Sequence, residues 1–356
     1  MKAPIRVGAF FIFITFTKNI SLITSHDIFT ISNQKQFEKI ALKVFRFQYE
    51  NNHVYRDFCE FLKVEKGNVK SLQQIPFLPI QFFKSHVVLS SSEKIQETFT
   101  SSGTTSPLTP NGGIGTIRSK HLITDVTLYQ QSYRLAFSEF YGNIEDYAIL
   151  ALLPSYLERK GSSLIYMVND LIQLSNNVNS GFYLHNYDEL ISKLIALDTE
   201  GQNVLLIGVT YALLDLIEKQ KFQLKNTIIM ETGGMKGKRK EIIREELHEQ
   251  LCKGFGVEAI HSEYGMTELL SQAYSLGNGL FECPNFMQIL IRDTEDALTY
   301  VASGKTGGIN VIDLANINSC SFIATQDLGK KYPNNSFEVL GRFDNSDIRG
   351  CNLMVM

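Results

Sequence analysis

Three short apolar runs in the middle of the chain constrain its fold more than any other feature. They read YAILALLPS (147–155), NVLLIGV (203–209) and NTIIMETGG (226–234), and each is typical of a buried strand. Helical patterns lie between and after them, in DELISKLIALD, YALLDLIEKQKF and KRKEIIREELHEQLCKGFG. Strands that alternate with helices of this length predict an α/β fold with a largely parallel sheet.

Two helices are predicted before the first of these runs. Residues 27–53 carry apolar side chains at helical spacing, which predicts a helix, and Ser32 or Asn33 can cap it. A second helical pattern, DVTLYQQSYRLAFSEFYG (125–142), ends at its final glycine. Between the two helices, two prolines predict an extended stretch without helix in QQIPFLPIQFFKS, and KIQETFTSSGTTS predicts a short strand that runs into a loop.

The last part of the chain combines an amphipathic helix with short strands. In KRKEIIREELHEQLCKGFG we expect Ile243, Leu247 and Leu251 on one face of the helix and Gly254 at its end. After Leu280 the pattern changes to short alternating strands, MQILIRD, GGINVIDL and SCSFIATQDLG. These strands predict a smaller β-rich module.

The composition excludes several classes of function. The 356 residues carry a net charge of −3 and no stripe of Lys or Arg, so nucleic acid is not expected as a partner. The five cysteines lie far apart, without a C-x-x-C pair or a Cys/His cluster of zinc spacing. Such sparse thiols are typical of a reducing compartment, so we expect a cytoplasmic protein.

Residues 1–26 are predicted to be an N-terminal extension and not a signal or a membrane span. Their apolar run, 9–16, is too short to cross a bilayer. No cleavage site of the small-x-small type precedes Asp27. We therefore expect no stable membrane span here.

The stretch QETFTSSGTTSPL (96–108) concentrates small hydroxyl side chains in one place. Ser101, Ser102, Thr104 and Thr105 surround Gly103, where the backbone can approach an anion closely. A solvated loop has the same composition. The chain contains no Walker A motif, no G-x-S-x-G, no H-E-x-x-H and no G-x-G-x-x-G, so phosphate binding here needs support from other segments.

The segment SEYGMTE (262–268) offers an aromatic ring, a hydroxyl and a carboxylate after a predicted strand. The ring of Tyr264 can stack on a nucleobase. The carboxylate of Glu268, together with phosphate oxygens and water, can hold Mg2+. The alternative is a strand-to-helix turn, with Glu268 in the first helical turn.

Two further segments are compatible with a nucleotide site. In ETGGMKG (231–237), two glycines follow a buried strand at its carboxyl end, where α/β sheets bind ligands. GRFDNSDIRG (341–350) is preceded by Asp327, and an acid near an arginine suits ribose hydroxyls. The alternative for GRFDNSDIRG is a polar turn with a surface ion pair.

Taken in this order, the segments resemble the adenylate-forming superfamily of acyl-CoA synthetases and luciferases. TFTSSGTTS, SKH (119–121), HSEYGMTE and GRFDNSDIRGCNL are similar to the acyl-protein synthetase (LuxE-type) component of the bacterial luminescence fatty-acid reductase complex. The resemblance covers roughly residues 27–356. It implies the α/β large domain of adenylate-forming enzymes over 27–340, with its β-rich part from about 281.

The resemblance also implies a role for each matching residue, with ATP and Mg2+ as cofactors. The ATP phosphates would be held by Ser101, Ser102, Gly103, Thr104 and Thr105. The adenine pocket would be lined by Gly233 and Gly234, with Tyr264 on the base and Gly265 beside it. Thr267 would contact the α-phosphate, Glu268 would bind Mg2+, and Asp327 and Arg342 would hold the ribose.

The chain departs from the superfamily pattern in two places. PLTPNGGIG (107–115) lies where the phosphate loop should continue directly into SKH, and the lysine common after this loop is missing. Most of the superfamily has a C-terminal lid domain, whereas only 14 residues follow Arg342 here, so we expect a short tail over 341–356 in its place. The acyl-protein synthetase family shares this shortness.

The activity implied by the resemblance is ATP-dependent activation of a fatty acid as acyl-adenylate, followed by transfer to a cysteine thiol near the C-terminus. Cys351 is the candidate, with a small buried side chain as the alternative. An acyl-CoA reductase-like, acyltransferase-like or thioesterase-like partner would then collect the acyl group. Two alternatives stay open at this point: an acyl- or aryl-CoA ligase, and a non-catalytic nucleotide-binding subunit.

Overall fold

A computed structural model describes residues 23–102, 118–154, 161–184, 186–233 and 242–343. Several predicted site residues lie outside these ranges. They are Gly103, Thr104, Thr105, Gly234 and Cys351, together with the insert at 107–115. Their roles stay predictions.

The described residues form helices on a long mixed sheet. The helices are α1 (Ser25–Phe29), α2 (Gln34–Asn51), α3 (His53–Phe61), α4 (Phe82–Ser85), α5 (Val126–Tyr141), α6 (Ser163–Leu174), α7 (Tyr187–Thr199), α8 (Thr210–Lys219) and α9 (Arg244–Phe255). Three short 3-10 helices span Leu72–Gln74, Ile144–Asp146 and Leu314–Asn316. Among these described helices, none has both the length and the apolar character needed to cross a membrane.

The strands were predicted at most of their observed positions. They are β1 (Leu78–Pro79), β2 (Glu97–Thr100), β3 (Lys120–Ile123), β4 (Ala148–Leu152), β5 (Gly181–Tyr183), β6 (Val204–Val209), β7 (Thr227–Thr232), β8 (His261–Tyr264), β9 (Ala273–Ser275), β10 (Leu280–Glu282), β11 (Met287–Arg292), β12 (Gly307–Asp313), β13 (Phe322–Lys331) and β14 (Phe337–Arg342). The three apolar runs are β4, β6 and β7, as expected.

Twelve strands share one hydrogen-bonded sheet, in the order β11-β12-β13-β14-β10-β9-β8-β7-β6-β4-β5, with β1 beside β13. The strands β5, β4, β6, β7 and β8 are mutually parallel. Because β4 and β6 are buried along their whole length, they read as continuous apolar runs. Helices α6, α7 and α8 pack on this part, which confirms the predicted α/β fold with a parallel sheet.

The sheet changes direction at β8. This strand pairs with β7 in parallel on one side and with β9 antiparallel on the other, and all neighbours from β9 to β11 are antiparallel. The short strands predicted after residue 280 are therefore a continuation of the same sheet. The chain that follows β8 leaves at the point where the topology switches, which is a common place for a ligand in α/β folds.

The predicted helix over 27–53 is divided in the structure. Asn33 begins α2, and its side chain accepts a hydrogen bond from the backbone N–H of Gln36 at 3.0 Å. Asn52 separates α2 from α3 in the same way, through the N–H of Tyr55 at 3.1 Å. An asparagine that satisfies free N–H groups favours a helix start. The cap at Asn33 is confirmed, and the single continuous helix is wrong.

The stretch with two prolines is extended only in part. Leu78 and Pro79 form β1, but Phe82–Ser85 form α4. Proline restricts the residue before it and leaves those after it free to become helical. The expectation of a helix-free stretch is therefore wrong at α4.

Helix α9 differs from its prediction at both ends. Ile243 is the N-cap and is 68% exposed, so it does not share the buried face of Leu247 and Leu251. The helix continues through Gly254 and is capped by Gly256, whose φ of +69° is favourable for glycine. The predicted face is wrong at Ile243, and the helix ends beyond the predicted glycine.

A separate pair of antiparallel strands, β2 and β3, precedes helix α5. Phe99 lies opposite His121 and Thr100 lies opposite Lys120. Strand β2 is the one predicted before the hydroxyl-rich loop, and α5 ends at Gly142 as expected. The start of that loop is thereby held next to the residues 119–121.

Candidate active site

The candidate site lies where β7 and β8 end side by side. Their parallel register places Thr232 opposite Glu263, and the chain then leaves the strands through Gly233 and Gly265. In an open α/β sheet this edge is where ligands bind. Two of the segments predicted to contact a nucleotide therefore share one edge of the sheet.

Asp327 connects predicted residues from three strands. The Tyr264 hydroxyl donates to Asp327 Oδ2 at 2.9 Å, and Arg342 Nε donates to Oδ1 at 3.1 Å. Asp327 and Arg342 also lie opposite each other in the register of β13 and β14. The Asp327 side chain is 9% exposed and that of Arg342 is 74% exposed. A buried carboxylate is thus paired with a guanidinium that a ligand can reach.

The ring of Tyr264 is more enclosed than a free stacking surface. Tyr264 is 8% exposed, and its ring makes edge-on contacts with Phe281 and Phe337, at centroid distances of 6.0 and 5.7 Å. Edge-to-face packing of this kind fixes the plane of the ring. The stacking of Tyr264 on a base stays a prediction.

Ser119 links the start of the hydroxyl-rich loop to Glu268. The N–H of Ser101 donates to the Ser119 carbonyl at 3.1 Å, and the N–H of Ser119 donates to the Ser101 hydroxyl at 3.0 Å. Burial raises the pKa of the Glu268 carboxyl, and a hydrogen bond from the Ser119 side chain opposes this effect. Ser102 follows as an exposed residue. The described start of the predicted phosphate loop is therefore close to the predicted Mg2+ ligand.

Glu268 has the surroundings of a carboxylate that can accept a metal ion. It is 5% exposed, and no salt bridge reaches it from any residue in the described ranges. The charges of Arg342 and Lys84 act on Glu268 from a greater distance and offset part of the rise in its pKa that burial causes. The described part of the chain contains no cluster of three metal-ligating side chains. A single carboxylate with phosphate oxygens and water suits Mg2+, so the residues fit this ion.

A second acid, Glu263, was not predicted as part of the site. The Thr232 hydroxyl donates to Glu263 Oε2 at 2.6 Å and so joins the ends of β7 and β8. A Cβ added to Gly265 would lie 2.4 Å from Glu263 Oε1, so glycine leaves room for this carboxyl group in its observed position. Burial raises the pKa of Glu263 to about 7, with a further contribution from the charge of Glu231.

A buried ion pair next to the end of β7 was also missed. Arg244 Nη1 lies 2.8 Å from Oε1 of Glu231, which is 6% exposed. The Thr210 hydroxyl donates to the carbonyl of Gly233 at 2.9 Å and lies 3.3 Å from Glu231 Oε2. These contacts fix the carbonyl of Gly233. No pattern in the sequence predicted these contacts, because Arg244 and Thr210 come from two different helices.

The loop between β8 and β9 is held by buried polar side chains from distant segments. His121 Nδ1 lies 2.8 Å from the carbonyl oxygen of Thr267, and Asn316 Nδ2 donates to the carbonyl of Glu268 at 2.8 Å. His121 belongs to the SKH segment, whose contact with this loop was not predicted. Asn316 lies in a stretch predicted only as β-rich, so nothing in the sequence marked it.

The second half of this loop is anchored by Asp313. Its Oδ2 accepts the backbone N–H of Leu270 at 2.7 Å and that of Ser271 at 3.0 Å. Its Oδ1 accepts the Ser271 hydroxyl at 2.5 Å. A fully buried carboxylate that accepts several hydrogen bonds is an anchor for backbone and has no free oxygen for a ligand.

The chain matches one protein-family model, which is described as acyl-protein synthetase, LuxE, over residues 14–121 and 176–356. These two ranges contain the described segments that form the candidate site. The similarity therefore includes the site and extends over most of the chain.

Individual relatives agree with this match. A long-chain-fatty-acid–luciferin-component ligase of Vibrio harveyi is 22% identical over 349 residues, which are 91% of this chain and 88% of that protein. The structure of 2-hydroxyisobutyryl-CoA ligase in complex with 2-HIB-AMP and CoA has a TM-score of 0.61 at 12% identity, and the match covers 87% of this chain and 70% of the ligase. This structural likeness confirms the predicted adenylate-forming fold.

The likeness to a second solved structure is partial. ATP-bound MatB from Rhodopseudomonas palustris has a TM-score of 0.50 at 15% identity, and the match covers 71% of this chain. It covers 49% of MatB, so this chain spans about half the length of that protein. The match thus concerns the fold of one part of MatB.

We expect the protein to lose stability as the pH rises, because of Glu263. The pKa of this carboxyl is about 7 in the folded protein and has an ordinary value of 4.5, so the folded state keeps the proton between these values. The stability gained from this group is complete below pH 4.5 and is lost as the pH rises through 7. The loss should be about 1–3 kcal/mol. Urea unfolding at a series of pH values measures it.

The control for this experiment removes the titrating group and keeps the acceptor for Thr232. Glu263→Gln should be about 1–3 kcal/mol more stable than wild type at about pH 8 and similar near pH 4. Glu249→Gln, which changes an exposed acid paired with Lys253, should behave as wild type. Equal pH dependence in wild type and Glu263→Gln would show that Glu263 is ionised in both states.

Proposed function

This chain belongs to the LuxE family of acyl-protein synthetases, and from this premise we propose that it activates a long-chain fatty acid with MgATP and passes the acyl group to a protein thiol. The observation that carries the proposal is the contact of Asp327 with Arg342 and Tyr264, the latter close in sequence to the loop after β8 that carries Glu268. The Vibrio harveyi relative is named as a fatty-acid ligase, which supports the same substrate class.

The proposed nucleotide site follows one edge of the sheet from β7 to β14. At the nucleoside end, Gly233 and Gly234 would line the adenine pocket, Tyr264 and Gly265 would face the base, and Asp327 and Arg342 would bind the ribose hydroxyls. At the phosphate end, the hydroxyl and N–H groups of Ser101, Ser102, Gly103, Thr104 and Thr105 would donate to phosphate oxygens. The hydrogen bonds between Ser101 and Ser119 support this arrangement, since they hold the start of the loop.

The proposed first step is adenylation of the fatty acid. Its carboxylate oxygen attacks the α-phosphorus of ATP, the bond from that phosphorus to the bridging oxygen breaks, and pyrophosphate leaves with acyl-AMP as the product. Positioning and neutralisation of charge supply most of the rate in such reactions. Thr267 would contact the α-phosphate, and Glu268 would hold Mg2+, which neutralises phosphate charge when bound.

The proposed second step transfers the acyl group to a thiol. The thiolate attacks the acyl carbon, AMP leaves, and a thioester forms. Burial raises the pKa of Cys59 and Cys283 to about 12, and burial also raises the pKa values of Cys252 and Cys320. Such thiols hold little thiolate at neutral pH. Cys351, outside the described residues, is therefore the proposed acceptor.

A protein thioester needs a further reaction that consumes it. A reductase can cleave it to an aldehyde and release the thiol, and a transferase or thioesterase can move the acyl group to another nucleophile. We propose that a protein of one of these classes, acyl-CoA reductase-like or acyltransferase/thioesterase-like, is the partner. The family description, acyl-protein synthetase, supports a protein as the acyl acceptor.

We expect Glu268→Gln to abolish adenylation. The substitution keeps the shape of the side chain and removes the charge that Mg2+ requires. Acyl-dependent exchange between ATP and labelled pyrophosphate should fall at least ~100-fold, the scale of a lost charge contact in a transition state.

The matched control is Glu249→Gln, which makes the same change at an exposed position on α9. It should keep the wild-type rate of exchange. If Glu268→Gln stays within a few-fold of wild type, Glu268 does not hold the metal ion and acts only at the turn after β8.

We expect Cys351→Ser to keep pyrophosphate exchange and to lose the acyl-enzyme. Adenylation precedes thiol transfer, so exchange does not require the acceptor. Incubation with ATP, Mg2+ and labelled fatty acid should label wild type through a bond that hydroxylamine cleaves, and the variant should stay unlabelled.

Cys59→Ser serves as the comparison, because that thiol is fully buried. It should be labelled as wild type is. If Cys351→Ser is labelled equally well, or if CoA collects the acyl group in place of protein, transfer to the tail thiol is wrong and CoA ligation takes its place.

A further inference from the structure

The loop between β8 and β9 carries Thr267 and Glu268 but has little backbone structure of its own. Within the described residues, its internal backbone hydrogen bond joins the N–H of Leu269 to the carbonyl of Met266 at 3.1 Å. Buried carbonyl groups need partners. The shape of this loop therefore depends on side chains from other parts of the chain.

Two consecutive carbonyl groups of the loop contact one pair of side chains. The Thr267 oxygen lies 2.8 Å from His121 Nδ1, and the Glu268 oxygen accepts from Asn316 Nδ2 at 2.8 Å. The two side chains also contact each other, since His121 Nε2 lies 2.9 Å from Asn316 Oδ1. Both side chains are buried, with exposures of 0% and 1%. Two successive peptide planes are thus fixed by one connected unit.

His121 is not placed to act as an acid or a base. Both of its ring nitrogens face oxygen atoms of the protein, and its side chain has no exposed surface. Burial lowers the pKa of His121 to about 4, so the ring is neutral at pH 7 and carries one N–H, which it donates either to the Thr267 carbonyl or to Asn316 Oδ1 and not to both. A proton cannot pass from it to a bound substrate without breaking one of these contacts.

We propose that His121 is a positioning residue for adenylation, which acts with Asn316 to hold the peptide from Thr267 to Glu268 in its productive geometry. This inference rests on the proposed function. The orientation of the Glu268 side chain follows from the peptide planes on either side of its Cα, and those are the planes that the pair holds. A shift of about 1 Å at such a residue can lower a rate by about 100-fold.

The simpler interpretation is that His121 only fills the core. Its ring does contact Phe83 edge-on, at a centroid distance of 5.7 Å. A packing role predicts a loss of stability, with an unchanged kcat for the molecules that remain folded. The two interpretations therefore differ in kcat and in the motion of the loop, and not in stability.

Substitutions at position 121 can separate the two contacts. Asparagine places an amide nitrogen near the position of Nδ1, so His121→Asn can still donate to Thr267. Glutamine places it near Nε2, so His121→Gln can still donate to Asn316. His121→Ala removes both contacts, and Asn316→Ala breaks the unit from its other side.

The matched control is Asp198→Ala. Asp198 is 8% exposed and accepts the N–H groups of Lys225 and Asn226 together with the hydroxyl of Thr227. It anchors backbone as His121 does, but at the amino end of β7, whereas the site is at the carboxyl end. It should lose stability and keep the kcat of wild type.

The experiment combines kinetics of pyrophosphate exchange with amide hydrogen exchange of the ligand-free protein. We expect His121→Ala and Asn316→Ala to lower kcat at least ~10-fold per folded molecule, with the KM for ATP within ~3-fold of wild type. His121→Asn should recover part of the loss, since it keeps the contact with Thr267. In both alanine variants, the amides of Leu269 and Leu270 should exchange faster than in wild type and in Asp198→Ala.

The possible outcomes separate a positioning role of His121 from a packing role. If wild type shows no acyl-dependent exchange, the proposed function is wrong and the role in adenylation with it, while the amide exchange of His121→Ala still shows whether His121 holds the loop. If wild type is active but His121→Ala keeps its kcat, or if the loop amides exchange as they do in Asp198→Ala, His121 is a packing residue and the inference is wrong.

Discussion

The hydrogen bond from the Tyr264 hydroxyl to Asp327 is the contact on which the proposed nucleoside end of the site depends. Tyr264 ends β8, the strand at which the sheet changes from parallel to antiparallel. Asp327 lies on β13, four strands further along the antiparallel side, with β9, β10 and β14 between them. The ion pair of Asp327 with Arg342 extends the contact to the surface. A buried charge is stable only when it is paired and hydrogen-bonded, and Asp327 has both kinds of partner.

The proposed phosphate end of the site is built in a different way. Glu268 and Thr267 lie on a loop, and the residues that fix this loop come from β3, from the turn after β12 and from the end of β12 itself. Each of these buried polar side chains is hydrogen-bonded, as stability in a low-dielectric interior requires.

The two acids at the ends of β7 and β8 differ in how their charge is compensated. Glu231 is neutralised by Arg244, whereas Glu263 has a hydroxyl as its hydrogen-bond donor and a raised pKa. Removing one partner of a buried ion pair costs several kcal/mol, about 3–5 in measured cases. The strand end therefore depends on both partners of the ion pair, while Glu263 makes the same edge sensitive to pH.

Much of the fold could be predicted, because strands buried on both faces produce apolar runs that local sequence reveals. The cap at Asn33 was predicted as one of two choices, whereas the helix break at Asn52 was not, since the local sequence does not show which asparagine interrupts a helix. The motif residues of the site were predicted from resemblance. Their supports were not, because the contact of Asn316 with Glu268 spans 48 residues and that of His121 with Thr267 spans 146. Pairs so far apart leave no local pattern.

The formation of an acyl-adenylate is tested most directly by acyl-dependent exchange between ATP and labelled pyrophosphate in the wild-type protein. A series of carboxylic acids from short to long chains should be tested at a fixed concentration of Mg2+. We expect exchange only when a fatty acid is present, and the most rapid exchange with long chains. If no acid supports exchange while the folded protein still binds ATP, the chain is a nucleotide-binding protein without ligase activity.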